Sequence, residues 1–470
     1  MKHEILPTNR KALIINIDTP LYGSFAEIGG GQEVARHFFQ AGGASGTIAK
    51  TISAYDKRFS DSFYNNNKPG RHVSEQRLVK MLDYEYKEVA RLLSPRNNEN
   101  TFFALANTME VLNYTKTNKS HGWMGVMFQL TPESKPNIII MHIKLLENDA
   151  LLQQQTIGTL GVNLLYACKF YHDSPNNFIK SLTDNLTRDR FRITMMRMSG
   201  PDLDYVDNKL LAVQLVKNKI THAIMFDKSG NVQQPSDMLY KKNVLAFRGS
   251  FLPVTYIAKD ILNKSKALFA KDKDYEHDNT LSFCELTINN IISEGEVNEK
   301  EFLNRVDMLV SIGQNVMISD ISEYYKLVEF FTQFKLKNLR IVMGIPTFEK
   351  VLNKKYYTDL KGSILEAVGI MFPSNMKLYI YPTKKSKSDD ILTSNDISMD
   401  NDVSMLFDYL KKNRYILDIN SAMESQLHIT TRIVHKMITD GNPEWEKYVP
   451  ISVARIIKER RLYGQGLSQK

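Results

Sequence analysis

From Arg190 onward the chain alternates short apolar runs with longer amphipathic ones, and this rhythm limits the fold more than any other feature. Runs of strand length fall at 192–198, 223–226, 244–247, 281–288, 316–319, 339–343, 377–381 and 415–419. Most are separated by segments with apolar residues three and four apart, at 207–216, 257–269, 299–312, 322–334, 348–372 and 403–413. Apolar strands that do not alternate, joined through helices, build a parallel sheet covered on both faces. The expected fold class is therefore α/β, with an open, doubly wound, Rossmann-like sheet. A closed barrel is the alternative, disfavoured because the connection from Phe226 to Val244 has no helical pattern.

The first part of the chain reads as a mixed α+β domain. Ala12 to Ile17 has strand length, Val34, Phe38 and Phe39 give a helical face, and Gly42-Gly43 give a stop. Segment 74–93 is an amphipathic helix, and 101–106, 123–130 and 137–145 read as strands of an antiparallel sheet. Long and short helices follow at 149–171 and 177–186. The expected domains are 1–188, 189–420 with the α/β rhythm, and a helical extension 421–470 carrying segments 429–437 and 453–462.

Composition narrows the class of function. Apolar residues make up 43% and charged residues 24% of the 470, which excludes wholesale disorder. Lys and Arg outnumber Asp and Glu by 61 to 52, with clusters at Lys384, Lys385 and Lys387 and at Arg455, Lys458, Arg460 and Arg461. A mild positive field suits phosphate-bearing ligands, with nucleic acid the lesser candidate. Cys168 and Cys284 sit in apolar runs and read as buried thiols of a reducing compartment; no CxxC spacing exists for zinc. No apolar window reaches the roughly 18 residues of a spanning helix, so the expectation is a cytoplasmic protein without membrane partners. Homo-oligomerisation is left open.

The chemistry concentrates at NVLAFRGSFLPVTYIAKD, 243–260, where a strand, a small-residue turn and a helix start follow one another. Gly249-Ser250-Phe251-Leu252-Pro253-Val254-Thr255 resembles the GSFNP-x-T opening of nicotinamide and nicotinate mononucleotide adenylyltransferases. The resemblance implies a turn that holds ATP phosphates at a helix N-terminus. Leu252 stands where that motif has Asn, and Ala258 where its histidine falls. Over longer stretches, at 25–56, 121–125 and 239–255, the chain is similar to a bacterial family whose members are often labelled nicotinate-nucleotide adenylyltransferase and sometimes TonB-dependent receptor. The second label conflicts with the many helices and with the lack of serial ten-residue amphipathic strands.

Further candidates come from residue chemistry alone. Gly29-Gly30-Gly31, ahead of a helix, has the character of an anion-binding nest, although neither the Walker A nor the Rossmann glycine spacing is met. Asp202, Asp204 and Asp207 follow a strand and are candidates to hold Mg²⁺ for a nucleotide, or else simply favour a helix start. Glu285, on an otherwise apolar strand, is a candidate base. His121-Gly122-Trp123 is either a stacking platform or a loop before a core strand. The resulting expectation is a nucleotide- or phosphometabolite-binding enzyme with nucleotidyl transfer as its reaction. Arg248 and Glu285 are its catalytic candidates. Gly249, Ser250, Phe251 and Thr255, together with Gly29, Gly30 and Gly31, are its ligand-binding candidates, and ATP and Mg²⁺ its cofactors. The rival expectation is a catalytically degenerate sensing or interaction module of the same fold.

Overall fold

A computed structural model describes residues 3–18, 20–93, 99–288, 299–384 and 390–464. Lys385 and Lys387 lie outside the described residues. The chain divides into two compact units, Met1–Thr221 and His222–Lys470.

The first unit is built on a six-stranded sheet of β1 (Leu21–Gly29), β2 (Ile48–Ser53), β3 (Thr101–Glu110), β4 (His121–Phe128), β5 (Asn137–Leu145) and β6 (Phe191–Ser199), in the order β2-β1-β3-β4-β5-β6. β1 runs parallel to β2 and β3, and the remaining pairs are antiparallel. Helices cover both faces, because successive residues of β4 point opposite ways. Met124 and Val126 join a core with Ile157 and Leu160 of α5 (Ala150–Phe170), whereas Gly125 abuts Leu78 and Leu82 of α4 (Glu75–Leu92). Ser74 caps α4 by accepting from the Arg77 N–H, and Asp149 caps α5 by accepting from Leu152 N–H. Gly158 and Gly161 of α5 let α2 (Glu33–Ala41) approach closely; a Cβ at Gly161 would sit 2.6 Å from the Val34 side chain.

Two expectations change here. Ala12 to Ile17 is not a strand: it forms the end of α1 (Thr8–Asn16) with Ile17 as its C-cap, and the buried residues Lys11, Ala12, Ile15 and Asn16 follow helical spacing. The first strand is instead β1. Residues 192–198, expected to open the α/β sheet, form the edge strand β6 of the first sheet, paired antiparallel with β5.

The second unit carries an eight-stranded sheet of β7 (Ala223–Phe226), β8 (Val232–Gln233), β9 (Asn243–Arg248), β10 (Thr280–Thr287), β11 (Asn315–Ser319), β12 (Asn338–Gly344), β13 (Met376–Tyr381) and β16 (Ile416–Asp418); β14 (Thr383–Lys384) and β15 (Ile391–Leu392) form a separate small hairpin. The order β16-β13-β12-β9-β10-β11-β7-β8 is open, so there is no closed barrel. β9, β10, β11, β12, β13 and β16 are mutually parallel, while β7 and β8 add an antiparallel edge. Numbered along the chain from β9, the parallel strands lie in the order 3-2-1-4-5-6 of a doubly wound dinucleotide-type sheet. Segment 348–372, expected as one helix, is two: Ile345–Val351 and Ser363–Met371. The two pack separately: the first lies against β12 and β13, the second against the helix Tyr324–Thr332, and both contribute to the same apolar core.

Candidate functional site

The parallel strand order fixes where a ligand would sit. β9 has β10 on one side and β12 on the other; the chain leaves β9 toward β10 and leaves β12 toward β13, so these two connections diverge and open a crevice at the strands' C-terminal ends. Arg248, Gly249, Ser250, Phe251 and Thr255 leave β9 at that crevice, and Glu285 lies beside them on β10. Of the candidates read from the sequence, these six are brought together.

Their geometry is specific. Arg248 and Glu285 are register partners. Arg248 Nη2 donates to Glu285 Oε1 at 3.1 Å, and Nε donates to Oε2. The same guanidinium donates to the carbonyls of Ser322 (2.6 Å) and Ile321 (2.9 Å), and lies 4.6 Å over the Tyr324 ring. Thr287 Oγ1 donates to Glu285 Oε1 at 3.1 Å, and Ser319 Oγ donates to the same oxygen. Burial is the largest influence and works against the Arg248 charge, but Glu285, Tyr324 and Glu323 together outweigh it and raise the arginine pKa above its ordinary value. Both groups are thus tied into one satisfied, nearly neutral cluster.

The turn itself is tightly folded. The Gly249 N–H donates to the Glu285 carbonyl at 3.1 Å. The Phe251 ring folds back over Gly249, where a Cβ would meet it at 3.0 Å, and stands edge-on to Phe247 at 5.3 Å. Phe251 holds a positive φ of 45°. Ser250 is exposed, and its carbonyl accepts from Arg305 Nη1 at 3.2 Å. Thr255 caps α9 (Tyr256–Phe269) by accepting from the Ala258 N–H at 3.2 Å, and Ala258 is buried. One helical turn on, the buried Asp260 accepts from Tyr381 Oη at 2.6 Å, from Ala422 N–H at 3.1 Å and from Ser421 Oγ at 3.2 Å. Asp260, Tyr381 and Ser421 were not read from the sequence, because their partnership spans 121 and 161 residues and follows no local pattern.

The remaining candidates belong to the first unit. The glycine triplet is hemmed by β3 and the residues after it. A Cβ would lie 1.9 Å from the Met109 carbonyl at Gly29, 2.5 Å from Val111 at Gly30 and 1.8 Å from Asn107 Oδ1 at Gly31. Gly30 N–H donates to the Met109 carbonyl at 3.2 Å. Close packing alone therefore accounts for three glycines in a row. In register with Asn107 stands Glu27, buried at the end of β1. Loss of solvent pushes its carboxyl pKa up to about 7.

Asp202, Asp204 and Asp207 are exposed, follow β6, and are separated from β1 by three strands. Asp202 accepts from Asn137 Nδ2 at 2.8 Å, and Asp207 caps α7 (Asn208–Lys217) through the N–H groups of Lys209 and Leu210. Among the described residues no group of three or more His, Cys, Asp or Glu side chains is disposed to hold a metal ion, so these aspartates do not fit the Mg²⁺ site expected of them. His121 opens β4 rather than a loop, and its Nδ1 lies 3.0 Å from His142 Nε2. Trp123 is buried edge-on against His142, whose pKa burial lowers to about 3 with help from His121 and Arg71. Cys168 and Cys284 are buried free thiols, as read from the sequence. No described helix is long and apolar enough to cross a membrane.

No protein-family model and no curated protein matches the chain. Solved structures similar to it include the competence/damage-inducible protein CihA of Agrobacterium tumefaciens, at 14% identity over 35% of this chain and 98% of that one, with a TM-score of 0.25. A Vibrio parahaemolyticus protein, provisionally called a nicotinate-nucleotide adenylyltransferase, matches at 14% identity over 47% of this chain and 95% of its own, with a TM-score of 0.26. A CinA superfamily protein of Klebsiella pneumoniae matches at 9% identity over 34% of this chain and 96% of its own, with a TM-score of 0.26. Likeness at this level assigns no activity.

Proposed function

We propose that the second unit binds a nucleotide or phosphorylated metabolite in the crevice between β9 and β12, and that its reaction is nucleotidyl transfer of the nicotinate- or nicotinamide-nucleotide adenylyltransferase kind, with ATP as donor. The observation that carries this reading is the 3-2-1-4-5-6 strand order, which puts the Gly249–Thr255 turn at the topological switch point. There the exposed Ser250 and the Thr255-capped start of α9 face the ligand with a helix N-terminus, whose dipole favours a phosphate. Arg248 contributes orientation more than net charge, since Glu285 neutralises it. The reading implies a cytoplasmic protein.

A second reading has its own support. Ala258 occupies the position of the motif histidine, Arg248 is committed to Glu285, and the Gly249 N–H is committed to a carbonyl. These features favour a unit that binds the ligand without turning it over. Isothermal calorimetry with ATP and with nicotinate and nicotinamide mononucleotide, alongside an assay of pyrophosphate release, separates the two. Binding with release supports the transferase, and binding without release supports the sensor. Absence of binding at millimolar ligand ends both.

A further inference from the structure

We infer that the first unit carries a separate binding groove for a small planar heteroaromatic ring bearing a phosphate, set between α3 (Lys57–Tyr64) and α4. The groove has a volume of about 400 Å³ and is lined by Phe63, Tyr64, Tyr84, Lys80, Lys87 and Arg91, with Asn66, Asp83 and Glu88 completing it. That volume lies within the range of small-ligand clefts.

Its back wall is rigidly built. Tyr64, buried, donates to Glu85 Oε1 at 2.7 Å, and the fully buried Glu85 is paired with Lys50 Nζ at 2.6 Å. Lys50 also pairs with Glu88, so its single positive charge is shared between two of the local carboxylates. Lys50 itself lies 6.0 Å from the Phe63 ring and 5.9 Å from the Tyr84 ring. Phe63 and Tyr84 meet edge-to-face at 4.9 Å, which holds their exposed surfaces at fixed angles along the groove.

The charges at the mouth complete the argument. Lys80, Lys87 and Arg91 project from one face of α4, at spacings of seven and four residues. Lys87 is shared with Asp83 at 2.8 Å, whereas Lys80 donates to the Asn65 carboxamide and Arg91 is exposed. Lys50, Lys80, Lys87 and Arg91 set against Asp83, Glu85 and Glu88 leave one positive charge in excess beside the aromatic surfaces. A ring against Phe63 and Tyr84 would place a phosphate within reach of Lys80 and Arg91. The groove belongs wholly to the first unit and does not depend on the crevice of the second.

Photolabelling of the full-length protein with 8-azido-AMP, followed by peptide mapping, tests this. Label is expected on peptides spanning 57–66 and 80–91, displaced by AMP at concentrations where adenosine and ribose 5-phosphate are at least tenfold less effective. Arg91→Ala, at an exposed position, should cut that labelling about tenfold while thermal unfolding stays unchanged, and Tyr84→Ala should cut it about tenfold while Tyr84→Phe, which keeps the ring packed on Phe63, restores it. Label confined to other peptides, no label at millimolar probe, or labelling of 57–91 indifferent to both alanine substitutions overturns the inference.

Discussion

Arg248 on β9 and Glu285 on β10 are register partners joined by two hydrogen bonds, and both are almost wholly removed from solvent. A buried pair of this kind is costly to break from one side, since the survivor is left charged without a partner. Arg248→Ala should therefore destabilise the second unit by roughly 3–5 kcal/mol. The double variant Arg248→Met with Glu285→Leu should recover most of that loss. Urea denaturation of the three proteins checks the pair. A single variant within about 1 kcal/mol of the parent would show that the arginine is held for its ligand and not for the fold.

Thr255 supplies the side-chain cap of α9 at the mouth of the crevice. Thr255→Ala should cost about 1 kcal/mol and Thr255→Ser a few tenths, because serine keeps the accepting oxygen. If Thr255 also meets the ligand, the alanine variant will lose affinity by more than its stability loss explains. Paired calorimetric and melting measurements show which holds.

Glu27 makes the stability of the first unit depend on pH in an unusual direction. Its folded pKa of about 7 lies above the ordinary value of 4.5, so the folded state holds the proton more tightly. Stability from this group is fully present below the unfolded pKa and is lost as pH rises between the two values, by about 3 kcal/mol in total. Glu27→Gln should accordingly gain stability over the parent at pH 8 and gain nothing at pH 4.5. Equal differences at both pH values would contradict the assignment.

Gly31 and Asn107 form a packing pair that substitution can separate. A Cβ at Gly31 would fall 1.8 Å from Asn107 Oδ1, too close for any tolerated contact. Gly31→Ala should cost about 1–3 kcal/mol, and Asn107→Ala in the same chain should relieve part of it. A double-mutant cycle in which the two losses simply add would rule out direct contact as the reason for the glycine.

Much of the architecture was legible because the relevant signals are local. The helix expected at 74–93 is α4, with Ser74 as its cap, and the one expected at 149–171 is α5, with Asp149 as its cap. Apolar runs such as 244–247 and 339–343 became central parallel strands because both of their faces are buried. β1 was missed because LYGSFAEIG carries two glycines and a glutamate, which break any strand pattern. The run 12–17 was misread because so short an apolar stretch fits either period. Pairing through space left no mark in the sequence. Arg248 and Glu285 stand 37 residues apart, and only the sheet register shows that each answers the other. The aspartates after β6 looked like metal ligands by spacing alone; in three dimensions one of them is spent on Asn137 and another on a helix start.

The antiparallel edge of the second sheet has a bearing on how that unit assembles. β7 is the earliest strand of its sheet to be synthesised, yet its neighbour β11 follows only after β9 and β10. Until Asn315–Ser319 emerges, Ala223–Phe226 has only the two-residue β8 to pair with, so its hydrogen-bonding groups wait on a late arrival. Joining it is a long-range closure of the slow kind. A chain shortened to begin after Leu239 would leave β11 with a bare outer rim, the sort of surface that recruits strands from neighbouring molecules.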